Sequence, residues 1–202
     1  MKGGFNNMRS LPRRKFLLLR WASFFFLFAG VLGVSYAALV ILSGEAFQAI
    51  ELHRFEHRAP TAEPHLPIFG EVLGELQIPR IGLRAVVMQG DSRNILDRAV
   101  GHLPRTALPG EVGNVALAGH RDRLFRPLRE IRDGDIILLQ TPGETFQYQV
   151  QTAFVVPGTE VSVLQPTQPR ELTLITCYPF NFIGHAPNRF IVRARQVAAQ
   201  PR

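Results

Sequence analysis

Hydrophobic and polar positions alternate on two different scales along this chain. Residues 21–42, WASFFFLFAGVLGVSYAALVIL, contain no charged side chain. At about 1.5 Å of rise per residue, a helix of that length crosses a bilayer core of roughly 30 Å. Residues 43–70 change character. Phe47, Ile50 and Phe55 recur at roughly helical spacing and predict a short amphipathic helix running on from the apolar one. Pro60, Pro64 and Pro67 end it and favour an extended tether. From about Glu71 the apolar runs become short and are punctuated by Gly, Pro and Asp. They predict strands at 74–78, 83–88, 114–118, 135–139, 145–150, 153–156, 171–177 and 190–197, with Thr141-Pro142-Gly143-Glu144 as a hairpin turn. Helical turns fit 95–100 and 124–131. Many short strands without regular strand–helix alternation predict a mainly β barrel or sandwich, and about 130 residues suffice for one core.

Charge decides what the apolar segment does. The 202 residues hold 23 Lys+Arg against 16 Asp+Glu, a formal net charge of +7. Lys2, Arg9, Arg13, Arg14, Lys15 and Arg20 precede Trp21, with no acid among them. Taking these six from 23 leaves 17 basic against 16 acidic residues, so the basicity records membrane orientation and not affinity for nucleic acid. The expected organisation is a basic cytoplasmic N-terminus at 1–20, a transmembrane signal anchor at 21–42 with Trp21 at headgroup depth, an extracytoplasmic linker at 43–70 and a folded domain at 71–202. Cleavage as a signal peptide is the alternative, with Ser35 and Ala37, or Gly44 and Ala46, as the small residues. The apolar run exceeds the usual h-region of ~7–15 residues, which favours a retained anchor. Either route exports the remainder. Five arginines from Arg121 to Arg132 are interleaved or bordered by Asp122, Glu130 and Asp133, which reads as a solvated helix face with local ion pairs. His53 and His57 stand at i, i+4 but lack an HExxH pattern or a third ligand, and read as solvated linker.

Cys177 is the only cysteine. That excludes an internal disulfide framework, multi-cysteine zinc or iron–sulfur sites, and a CxxC redox role. Outside the cytoplasm a lone thiol is an inert core residue, half of an intermolecular disulfide, or a nucleophile. Its surroundings favour the last. Cys177 ends the strand-like run Leu172-Thr-Leu-Ile-Thr176, and Pro179 stops it. His120 ends the run Asn114-Val-Ala-Leu-Ala-Gly119, and Arg189 opens Phe190-Ile-Val-Arg-Ala. Strand ends are where a rigid sheet presents side chains to a cleft. A thiol becomes a useful nucleophile beside a base or a cation, although spacing alone does not bring these three together.

These segments resemble the sortases, the membrane-anchored cysteine transpeptidases of bacteria. The resemblance rests on Leu172-Thr-Leu-Ile-Thr-Cys177 with Arg189 twelve residues on, Gly113-Asn114 through Gly119-His120-Arg121-Asp122, the Gly134-Asp135 turn, Gly184, and Leu76-Gln-Ile-Pro79-Arg-Ile81 as a first strand. It runs from about Glu71 to Val197. Cys177-Tyr-Pro-Phe with Ala186-Pro187-Asn188-Arg189-Phe190 is most similar to class D. The resemblance implies a closed sortase-type β-barrel with short helices at 71–202. It implies cleavage of an LPXTG-type sorting signal through a Cys thioester, then transfer of the acyl group to an amine such as a peptidoglycan precursor or a pilin lysine. Cys177 is then the nucleophile, His120 the general acid/base, and Arg189 the group that stabilises the oxyanion or holds the substrate backbone. Thr176 is expected to support the cleft, the Tyr178 N–H to be a second oxyanion donor, and Asp122 to orient His120 or to belong to a turn. His185 is the rival base, and His102 is expected in a loop. Some sortases bind calcium through acidic loop residues; Glu111, Glu144 and Glu160 are scattered here and form no ligand cluster, so no cofactor is expected. Two other functions compete. One is an L,D-transpeptidase, whose Ser/His-Gly-Cys-type motif Thr176-Cys177-Tyr178-Pro179 does not match. The other is a non-enzymatic anchored β-domain that scaffolds a partner, with Cys177 structural.

Overall fold

A computed structural model describes residues 13–57, 66–181, 184 and 186–201. Lys2 and Arg9, the prolines Pro60 and Pro64 of the expected tether, and His185 lie outside the described residues. The chain divides into two units, one ending at Ser43 and the other running from Gly44. Helix α1 (Arg13–Glu56) extends well past the apolar run. Within it Arg20–Arg54 is long and apolar enough to cross a membrane, with a mean hydropathy of 2.4 in its apolar window. Phe24, Phe25, Phe26, Leu39 and Ile41 stand exposed on this helix, an arrangement that water opposes and hydrocarbon accepts.

The second unit is built on β1 (Val72–Ile78), β2 (Leu83–Gln89), β3 (Val100–His102), β4 (Asn114–Ala118), β5 (Ile136–Gln140), β6 (Glu144–Pro157), β7 (Glu171–Tyr178) and β8 (Asn188–Pro201). These eight strands close into a barrel in the order β1-β2-β3-β4-β7-β8-β6-β5. β2 runs parallel to β3, and β4 to β7; the other neighbouring pairs are antiparallel. Alternation along each strand sends one set of side chains inward: Val115 and Leu117 from β4, Leu172 and Leu174 from β7, Val192 and Ala194 from β8, Phe146 and Tyr148 from β6. Each fully buried Leu contributes roughly 1.5–3 kcal/mol to holding the barrel shut. Short helical elements fill the connections: α2 (Arg93–Leu96) and 3-10 turns at Pro79–Ile81, Arg126–Glu130 and Ser162–Leu164. The fold is mainly β with short helices, as the sequence pattern leads one to expect, and of the barrel and sandwich that the pattern allows it is the closed barrel that the resemblance implies.

Three departures from that pattern have local causes. The runs at 145–150 and 153–156 form one strand, β6, and the phase change between them is a bulge where the register against β8 shifts between Val150 and Thr152. β3 escapes the pattern because three residues with a central glycine show no readable alternation. Gly101 is required there, since a Cβ would lie 2.4 Å from the Gly90 carbonyl oxygen. His102 therefore belongs to a strand and is buried, contrary to its expected place in a loop. Its ring nitrogens lie 2.7 Å from Gln89 Oε1 and 2.9 Å from the Ala107 carbonyl oxygen, and burial pushes its pKa down. The helix expected over 95–100 stops at Leu96, because Val100 pairs with Val87.

Two polar arrangements lock the outside of the barrel. Arg80 and the Arg132 backbone N–H converge on Asp135, with Arg80 Nη2 2.6 Å and the Arg132 nitrogen 2.8 Å from Oδ2. The hydrogen-bonded Arg80 guanidinium holds the Asp135 carboxyl below the usual carboxylate range. On another side, the part of α1 that follows Gly44 joins the barrel's own unit. Phe47 and Leu52, with Val72, pack on the buried side chains of Val86, Met88, Ile95 and Ala99. Gln48 Oε1 accepts a hydrogen bond from the Val86 N–H at 2.9 Å, and the Arg98 guanidinium lies 5.1 Å from the centre of the Phe47 ring.

Candidate active site

Strand register brings the three sequence-predicted groups to one end of the barrel. The parallel pair β4–β7 matches Asn114 with Glu171 and continues to Ala118 with Ile175. Two further contacts carry that pairing past the end of β4: the Gly119 N–H donates to the Ile175 carbonyl oxygen at 3.1 Å, and the buried Thr176 hydroxyl donates to the Gly119 carbonyl oxygen at 2.7 Å. His120 thus leaves β4 level with Cys177 on β7. On the other side of β7, Cys177 faces Arg189 directly across the antiparallel β7–β8 pair. Residues so opposed point to the same face, with Cβ atoms about 4.5–5.5 Å apart. Leu172 and Leu174 point into the core, so Cys177, at odd spacing from them, points outward. A thiol and a guanidinium therefore stand on neighbouring strands, with an imidazole in the turn that follows the next strand over, all half-buried.

Each is held by its surroundings. The His120 carbonyl oxygen accepts from the N–H groups of Arg123 at 3.3 Å and Phe125 at 3.1 Å, closing a tight turn whose Phe125 ring is fully buried. Gly119 lies so close to that ring that a Cβ would meet it at 2.8 Å. Arg189 Nη1 donates to the carbonyl oxygens of Ala186 at 3.2 Å and Asn188 at 3.0 Å, which fixes the guanidinium at the start of β8. Gly158, at the beginning of the β6–β7 connection, donates its N–H to the Pro187 carbonyl oxygen at 2.9 Å. A Cβ on Gly158 would come within 3.2 Å of Arg189 Nη1.

The supporting residues divide. Thr176 makes the hydrogen bond just described. Tyr178 pairs with Asn188 and joins Phe180 and Phe190 in an aromatic trio with ring centres 5.3–6.3 Å apart. Asp122 is exposed in the turn after His120. The carboxylate beside the imidazole is that of Asp97, whose Oδ1 lies 3.3 Å from His120 Nε2. Sequence reasoning overlooks Asp97 because only the unreadable strand β3, paired with β4, brings the end of α2 next to His120. Of the arginine-rich stretch after His120, Arg129 makes a local ion pair, with Glu130 at 3.4 Å; Arg121 Nη2 reaches the Gly184 carbonyl oxygen at 2.9 Å and Arg123 Nη1 the Asp97 carbonyl oxygen at 2.6 Å, both distant in sequence. His53 and His57 are exposed near the end of α1, and no group of three His, Cys, Asp or Glu side chains converges among the described residues.

The chemistry open to this arrangement is acyl transfer. An imidazole beside a thiol can accept its proton and return it to a leaving amine, and a fixed guanidinium supplies donors where negative charge develops on a carbonyl oxygen.

Comparison with known proteins agrees with that geometry. A sortase-domain family model matches residues 76–197, more than half of the chain. Sortase D of Bacillus subtilis (strain 168) is 33% identical over 132 residues, which cover 65% of this chain and 67% of that protein. Among solved structures, the fold is similar to a Clostridium perfringens sortase D5 transpeptidase, with a TM-score of 0.60 and 29% identity over 66% of this chain and 83% of that one. It is also similar to the SrtA sortase of Actinomyces oris, with a TM-score of 0.62 and 29% identity over 71% of this chain and 90% of that one. The chain belongs to the sortase family of cysteine transpeptidases and is class D-like.

Proposed function

We propose that this chain is a membrane-anchored transpeptidase that cleaves an LPXTG-type sorting signal on exported proteins and transfers the acyl half to an amine of the cell envelope. The observation that supports the reading is the register of three strands: β7 carries Cys177 opposite Arg189 on β8, and β4 runs parallel to β7 up to the turn that holds His120. In this scheme the Cys177 thiolate attacks the carbonyl carbon of the Thr–Gly bond. Arg189 and the Tyr178 N–H donate to the oxygen as it becomes negative. The C–N bond breaks as the His120 imidazolium gives its proton to the departing glycine amine, leaving a thioester on Cys177 and a neutral imidazole. The acceptor amine, such as that of a peptidoglycan precursor or a pilin lysine, then attacks the thioester carbonyl. His120 takes the proton from that amine, and the thiolate leaves, restoring the starting pair. The scheme itself calls on no cofactor. Thr176 supports the cleft, and the apolar length of α1 with its preceding basic residues supports an anchor with its N-terminus in the cytoplasm and the barrel outside.

The test uses the full chain in detergent micelles or nanodiscs with an internally quenched LPXTG peptide, followed by intact mass. The expected result is an acyl adduct on Cys177 that disappears on adding an amine. Cys177→Ala should form none, and His120→Ala should slow turnover at least about a hundredfold. Absence of an adduct across a panel of sorting signals, or equal turnover by Cys177→Ala, sinks the reading and leaves the scaffold in its place. Loss of activity in His185→Ala with His120→Ala unaffected reassigns the base.

A further inference from the structure

We propose that the last turns of α1 position His120 through Arg98 and Asp97, which makes Asp97 a positioning residue for the imidazole. The contact between Asp97 Oδ1 and His120 Nε2, at 3.3 Å, joins side chains 50% and 35% exposed. A pair that open to water contributes little when its members must first be immobilised. Here the immobilising is done by the segment that carries Asp97, which is held from three directions. Its own N–H bonds back to the Arg93 and Ile95 carbonyl oxygens at the end of α2. Its carbonyl oxygen accepts from Arg123 Nη1 at 2.6 Å, so the turn that follows His120 grips the residue that faces His120. The third hold comes from α1. The Arg98 carbonyl oxygen accepts from Gln48 Nε2, and the Arg98 guanidinium lies over the Phe47 ring.

Gln48 joins the two sides of this arrangement with one amide. Its oxygen takes the Val86 N–H of β2 while its nitrogen serves the Arg98 carbonyl. Ile95 and Ala99, on either side of Asp97, are buried in the same cluster that receives Phe47 and Leu52. A displacement of this part of α1 is thus passed to Asp97 through packed and hydrogen-bonded neighbours, with no flexible loop between. With Nε2 turned to the carboxylate, the contact favours one orientation of the ring that the base brings to the reaction. This role rests on the transpeptidase reading for its kinetic effect, and on geometry alone for the coupling.

The experiment compares the full chain in nanodiscs with Asp97→Ala, Asp97→Glu, Gln48→Ala and the double variant Gln48→Ala/Asp97→Ala. Because the pair is half-exposed, Asp97→Ala is expected to lower kcat about three- to fivefold, with KM and the unfolding midpoint near wild type, and Asp97→Glu to restore most of it. Gln48→Ala is expected to lower kcat about twofold alone and to add nothing in the Asp97→Ala background, the non-additivity of residues acting in one line. Wild-type kcat in Asp97→Ala, or effects of the two single variants that simply multiply, overturns the proposal. A second readout needs no substrate. In chains carrying 13C/15N-labelled histidine, Asp97→Ala and Gln48→Ala should both shift the side-chain resonances of His120 while leaving those of His102 in place. An unmoved His120 in either variant overturns the coupling, whereas a wild-type chain that ignores every sorting peptide sinks only the transpeptidase reading.

Discussion

A single buried hydroxyl, that of Thr176, ties the strand of the thiol to the turn of the imidazole. Its removal is the cleanest way to loosen the site without touching a reacting group. Thr176→Val keeps the shape but leaves the Gly119 carbonyl oxygen without its partner, so urea unfolding should show a loss of about 1–3 kcal/mol. The variant should still fold, and its rate of acyl-adduct formation on Cys177, followed by mass, should fall. At this scale the sequence is legible where a residue's role is set by its neighbours in the chain. Cys177 and Arg189 flank one hairpin of paired strands, and His120 follows an apolar run of its own. Asp97 is illegible for the opposite reason: nothing near it in sequence marks it, and it acquires a role only when α2 lies beside β4. Asp122, two residues from His120, attracts attention by its position in the chain, yet stands exposed in the turn.

Among the elements, the β6–β7 connection is the one that meets the site most directly, because Gly158 lies under the Arg189 guanidinium. A larger side chain there has to displace either the Pro187 carbonyl or the guanidinium. Gly158→Val is expected to lower kcat about ten- to a hundredfold through misplacement of Arg189, with a lowered unfolding midpoint as well, because the Cβ would lie 2.9 Å from the Pro187 carbonyl oxygen. Kinetics with the quenched peptide, run beside a thermal melt, separates this from a folding defect. Elements are legible in proportion to their length. β1, β2, β4 and β7 announce themselves as short apolar runs set off by Gly, Pro and Asp, whereas β6 reads as two strands because its bulge interrupts the phase. β3 cannot be read at all, since three residues carry no period. α1 reads as an apolar helix followed by an amphipathic one; the two are continuous because nothing between Leu42 and Glu56 is a proline.

For the whole molecule, two of the shifted titrating groups bear on the response to acid in different pH ranges. Burial lowers the pKa of His102 from 6.5, so the folded chain refuses a proton that the unfolded chain accepts. Stability should therefore fall as pH drops below about 6.5, and His102→Gln should flatten that decline. Asp135 behaves in the other sense of linkage. Its pKa is depressed by Arg80, so its contribution is present above the ordinary carboxylate pKa and is lost as pH falls below about 3.8 toward the folded value. Urea midpoints taken at pH 7.5, 5.5 and 3 should resolve the two steps, with Asp135→Asn removing the second. Closure of the barrel has a different kind of consequence. The strands of His120 and Cys177 pair across 57 residues of sequence, and β6, β7 and β8 must all be in place before Arg189 joins them. Pairings of such long range form late and slowly compared with hairpins. Until they do, the chain carries an ordinary thiol with no base and no cation beside it. On the proposed assignment, folding is thus also the step that arms the site: a newly made or partly unfolded copy holds Cys177, His120 and Arg189 but has not yet brought their strands together.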